Sequence, residues 1–182
     1  MKYIILLRGI NISGKNKVPM SELKIHLENL GYTKVKTYLN TGNVILETNQ
    51  LKEKVEQTIS SMLQENFSFD IPIYVMEEAK LKDIVENIPY WQQEENKDRY
   101  NNIIFPIDKT TVQDVYDKVG EPSENIDIIE PYKNIIYWSF DLKNYRKSSW
   151  WIKTASTDIN TKITIRTTAT IKKLLKIVEQ NN

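Results

Sequence analysis

Apolar positions recur along this chain in short strand-like runs and in stripes at helical spacing, and the order in which they alternate predicts its fold. Residues 2–8 place Tyr3, Ile5 and Leu7 on one alternation and Ile4 and Leu6 on the other, which predicts a strand buried on both faces. Pro19 suits a first helical turn, Met20, Leu23, Leu27 and Leu30 follow at helical spacing, and Gly31 supplies a stop, so a helix is expected over 20–30. Residues 34–39 read as a second strand, Asn40-Thr41-Gly42-Asn43 as a turn, and 44–47 as a third strand. Leu51, Val55, Ile59 and Met62 mark another helix, and 71–76 a fourth strand. The order is βαββαβ, that of a ferredoxin-like unit.

A connector is expected over 77–100, with a short helix around Leu81, Ile84, Val85 and Ile88 and a polar run over 92–99. The pattern then repeats: a strand at 102–106, a helix at 110–119, and a hairpin of 126–130 with 134–140 across Pro131-Tyr132-Lys133. A helix at 148–157 carrying Trp151, a strand at 162–166 and a closing helix through Ile171, Leu174, Leu175 and Val178 complete it. The expected fold is therefore α+β: two ferredoxin-like (βαββαβ) halves, 1–76 and 101–182, with mostly antiparallel sheets and an additional C-terminal helix. An isolated unit of this kind covers one sheet face with helices, so the two halves are expected to pack through their other faces.

In a βαββαβ unit the third strand lies antiparallel beside the first. The segment after strand one is thereby expected at the same sheet end as the turn before strand three. That brings Arg8, Gly9, Asn11, Gly14 and Lys15 towards Asn40, Thr41, Gly42 and Asn43, with the glycines allowing close backbone approach. Arg166 from the second half reaches the same end only if the halves are inverted relative to each other.

Composition removes several chemistries. The 182 residues contain no cysteine and one histidine, His26, which excludes disulfides, thiolate metal sites and cysteine nucleophiles. A serine triad would depend on His26 alone, and that residue falls on the helix at 20–30 beside its leucine stripe. No metal site is expected; a metal would have to be hard, oxygen-bound and brought with phosphate. With 25 basic and 24 acidic residues the net charge is +1, so nucleic acid is not the favoured partner. The apolar run at the N-terminus is too short for a signal peptide or a membrane span, and a cytoplasmic protein is expected.

Residues 9–16 nearly match a phosphate-binding loop, a strand followed by G-x-x-x-x-G-K-[ST]. Asn16 stands where the magnesium-binding hydroxyl belongs, Pro19 delays the helix, and a βαββ order does not build a parallel nucleotidase sheet. A looser function survives: exposed backbone N–H groups with Arg8 and Lys15 suit a phosphate or a carboxylate. The competing reading gives the glycines to turns and the lysines to solvent. An RNA-recognition sheet is not expected, because strand three offers Val44-Ile45-Leu46 and strand one only Tyr3, while Tyr137, Trp138 and Phe140 read as core. Near the C-terminus Arg166, Lys172 and Lys173 surround a helix start that Thr167 or Thr168 can cap and that has no acid before Glu179, a second candidate anion site.

These two stretches carry a family resemblance. Leu7-Arg8-Gly9-Ile10-Asn11, Gly14-Lys15-Asn16-Lys17-Val18-Pro19-Met20, Leu23, Leu27-x-x-Leu30-Gly31 and Thr37-Tyr38-x-x-Thr41-Gly42-Asn43-Val44 resemble the bacterial family called domain of unknown function 1697. Thr164, Arg166, Thr170, Lys173 and Leu174 fit its C-terminal pattern, with Thr167 and Thr168 where Asn and Trp are typical. The resemblance implies no activity, since none is established for the family. The favoured function is a binding module for a small anionic or nucleotide-like ligand, held by Arg8, Gly9, Asn11, Gly14, Lys15, Thr41, Gly42, Asn43, Arg166 and Lys173. The alternatives are an enzyme acting on a phosphate-bearing metabolite and an interaction protein whose motif is structural; catalytic residues, cofactors and oligomeric state are not legible.

Overall fold

The first apolar run forms β1 (Lys2–Leu7), the second strand from one edge of an antiparallel sheet whose order is β2-β3-β1-β4. β1 pairs with β3 (Asn43–Glu47) and β4 (Ile73–Glu77), Leu6 lying opposite Asn43 on one side and Tyr74 on the other, and β2 (Thr33–Tyr38) pairs with β3 at the edge. This computed structural model describes residues 1–93 and 96–180; residues 94 and 95 of the expected polar run, and the last two of the expected second half, lie outside the described residues. Helices α1 (Met20–Asn29) and α2 (Lys52–Asn66) cover the Tyr3/Ile5/Leu7 face, burying Leu23, Leu27, Val55, Ile59 and Leu63 against it. Gly31, at φ +86 with its amide on the Glu28 carbonyl, takes the left-handed conformation that ends α1. The opposite face is buried too, with Ile4 and Leu6 fully inaccessible.

After α3 (Glu78–Glu86) and the single turn α4 (Tyr90–Gln93), the pattern repeats. β5 (Arg99–Pro106), α5 (Val112–Val119), β6 (Asp127–Tyr132), β7 (Ile135–Asp141), α6 (Ser149–Ser156) and β8 (Ile163–Thr167) form a second antiparallel sheet of order β6-β7-β5-β8. α7 (Thr168–Glu179) closes the chain. Each half is ferredoxin-like, as the order of apolar runs predicts. Trp138, Trp150, Ile104, Ile136 and Val115 form the second core, and α5 starts on a reciprocal cap between Thr111 and Asp114.

The chain divides into two compact units, Met1–Ile84 with Lys173–Asn182, and Val85–Lys172. Two local expectations are corrected. The β6–β7 turn lies at Lys133 and Asn134, because Pro131 is accommodated within β6, an edge strand where a missing N–H costs least. β5 begins inside the polar run, at Arg99, whose guanidinium donates to Ser139 Oγ at 2.9 Å and to the Ile126 carbonyl at 2.8 Å. α7 starts where a threonine cap is expected, Thr167 Oγ1 accepting from the Thr170 amide at 3.2 Å.

Candidate functional site

At the end of β1 the chain leaves the sheet between its two neighbours. The Leu7 amide donates to the Gly42 carbonyl at 2.8 Å, and the Arg8 amide donates to the Pro72 carbonyl at 2.9 Å. The following loop is built from left-handed backbone, with positive φ at Gly9, Asn11, Ser13, Gly14 and Asn16. Glycine and asparagine adopt that conformation most readily, which is what the composition of this stretch provides.

Side-chain amides hold the loop closed. Asn11 Nδ2 donates to the Val18 carbonyl at 2.9 Å and to the Asn40 carbonyl at 2.8 Å, while its Oδ1 accepts from the Val18 amide at 2.9 Å. Asn16 Nδ2 donates to the Gly9 carbonyl at 2.9 Å, and the Asn11 amide donates to the Asn16 carbonyl at 2.9 Å. Ile12 and Lys15 bridge at the tip, so the loop turns back on itself instead of feeding a helix. α1 begins only after Pro19 and has no side-chain cap, a geometry unlike a phosphate loop running directly into a helix N-terminus.

The turn before β3 is equally constrained. Gly42 has φ +80, and a Cβ there would stand 2.7 Å from both Leu7 Cβ and Ile10 Cδ1. Asn43 is fully buried and donates to the Tyr38 carbonyl at 2.8 Å and to Thr41 Oγ1 at 3.1 Å. Thr41 is exposed.

The structure thus joins Asn11 to the Asn40–Asn43 turn and sets Arg8 at the strand exit, beside them in the chain path. Arg8 is half-buried, and that burial lowers the pKa of its guanidinium from the ordinary arginine value. Lys15 and Lys17 project from the exposed part of the loop. Of the residues expected to bind a ligand, Asn11, Gly42 and Asn43 have evident structural work, whereas Arg8, Gly14, Lys15 and Thr41 keep exposed or half-exposed surface.

Arg166 lies in the second unit, where its Nη1 donates to Thr164 Oγ1 at 2.8 Å and to the Ile165 carbonyl at 2.9 Å. Desolvation lowers its pKa to about 10. Lys173 belongs to the first unit and is exposed on α7, whose first turn contains no acid. His26 sits on α1 with Nε2 3.6 Å from Glu22 Oε1. Among the described residues no three His, Cys, Asp or Glu side chains are grouped to hold a metal, and no helix is long and apolar enough to cross a membrane.

Sequence reasoning did not identify Asn16 as a clamp or Ile12 as the loop's exposed apolar tip, 60% accessible. The available signal was the asparagines' tolerance of positive φ; their carbonyl partners depend on the folded loop.

A family model described as "Protein of unknown function (DUF1697)" matches residues 1–137. The conserved bacterial protein SP0830 from Streptococcus pneumoniae has a similar structure, at 26% identity and a TM-score of 0.85, covering 96% of this chain and 97% of that one. No curated protein matches the chain.

Proposed function

Since the chain belongs to the DUF1697 family, whose function is unknown, we propose from the geometry of its β1 loop that it is a binding module for a small anionic ligand. The ligand class is a phosphate, a nucleotide or a carboxylate. The observation that carries this reading is a half-buried, partly desolvated Arg8 at the foot of a loop clamped by Asn11 and Asn16 and displaying Lys15 and Lys17. A guanidinium with reduced hydration gains more from an anion than one in bulk water, and a loop already ordered loses little entropy on binding. Thermal-shift measurements with inorganic phosphate, pyrophosphate, citrate and adenine nucleotides test it, using the wild-type chain and Arg8→Ala. Stabilisation by an anion that Arg8→Ala abolishes supports the reading, and equal shifts in both proteins oppose it.

A second reading rests on Asn11 and Gly42, whose hydrogen bonds and packing account for them without any ligand. In that case the motif is a structural clamp and the exposed Ile12 tip is what the loop presents to a partner.

A further inference from the structure

The second unit displays aromatic surface that its core does not require. Trp150 is fully buried, whereas its neighbour Trp151 is 41% exposed and Tyr100 is 42% exposed. Both rest on buried Phe140, with ring centroids 5.2 Å away for Trp151 and 5.4 Å away for Tyr100. Tyr145 extends the row, its centroid 5.3 Å from Trp151, and the Arg146 guanidinium lies 5.7 Å from the Tyr145 ring centre. Two half-exposed rings on one rigid support, with a third beside them, form a stacking platform for other rings.

Two exposed cations stand beside these rings. Arg146 and Lys147 are exposed, and among the described residues neither forms an ion pair. Two of the neighbouring acids are already engaged. Asp98 pairs with Lys143 at 3.0 Å, and Asp141 Oδ1 accepts from the amides of Lys143 at 2.7 Å and Asn144 at 2.9 Å. Stacking rings beside uncompensated cations match a polymer of planar bases and phosphates.

We propose that the face formed by Tyr100, Tyr145, Arg146, Lys147 and Trp151 binds single-stranded nucleic acid. Tyr100 and Phe140 pair across the central strands β5 and β7 on the helix-covered face, where Phe140 packs with Trp138 and Trp150, so this platform is distinct from that of an RNA-recognition module, which uses the helix-free face. A duplex offers no free base faces and is not expected to bind there.

Fluorescence anisotropy of a labelled decauridylate against the full chain tests the proposal. Saturable binding is expected, weakened on the order of tenfold by Trp151→Ala or Tyr100→Ala and largely retained by Trp151→Phe. The double variant Arg146→Glu with Lys147→Glu, both at exposed positions, is expected to weaken binding and flatten its salt dependence. Arg8→Ala is expected to leave this binding unchanged, which separates it from the loop site. Absence of saturable binding overturns the proposal, as does indifference to both the ring and the charge-reversal variants, equal affinity for a duplex, or equally effective competition by uridine monophosphate.

Discussion

The side-chain amide of Asn11 donates to the carbonyl of Asn40 at 2.8 Å, tying the loop after β1 to the turn before β3. The same nitrogen donates to the Val18 carbonyl, and the carboxamide oxygen accepts from the Val18 amide. One side chain therefore satisfies three backbone groups. Asn11→Asp keeps the acceptor but removes both donors and places a charge beside two carbonyls. It is expected to destabilise the protein by about 1–3 kcal/mol, read from the urea midpoint at unchanged slope.

Gly42 and Gly14 both occupy left-handed backbone, but only Gly42 is packed. A methyl at Gly14 meets nothing within 4 Å, so Gly14→Ala bears the conformational cost alone, about 1 kcal/mol. At Gly42 the same methyl collides with Leu7 and Ile10, and an additional cost of about 1–3 kcal/mol is expected. Thermal or urea unfolding of the two variants side by side checks the difference.

The same contrast shows how much of this protein is legible in its sequence. The doubly apolar strand at Ile4–Leu7, the stripe through Leu23 and Leu27 and the stop at Gly31 act through local periodicity and backbone preference, so the ferredoxin-like order can be read directly. Polarity concealed the start of β5, because Arg99 enters the sheet by bonding Ser139 and the Ile126 carbonyl, partners distant in sequence. Pro131 resembles a turn residue until its strand is known to be an edge. In the loop, glycines and asparagines signalled irregular backbone. Which of them clamp carbonyls and which face solvent is decided by tertiary contacts.

The cap of α5 gives an acid-range prediction. Asp114 Oδ2 accepts from both the hydroxyl and the amide of Thr111, at 2.7 Å each, and these bonds hold its pKa below the ordinary aspartate value. Because the folded pKa is the lower one, the cap's contribution is complete above the unfolded-state pKa of roughly 3.9 and is lost as pH falls through the folded value. Asp114→Asn is expected to lower the melting temperature at neutral pH and to narrow its gap to the wild type as the pH falls below 4. A series of melting temperatures against pH, run on both proteins, checks this.

The central claim is an anion held at Arg8 and the clamped loop, and titration of the 15N-labelled chain with pyrophosphate tests it most directly. Saturable shifts are expected in the amides of residues 9–16 and in the Arg8 side-chain Nε–H signal, weakened by added salt. Arg8→Ala is expected to remove them while leaving the spectrum of the second sheet unchanged. If these signals stay still, or move equally in Arg8→Ala, the β1 loop is not an Arg8-dependent anion site and its clamp is structural.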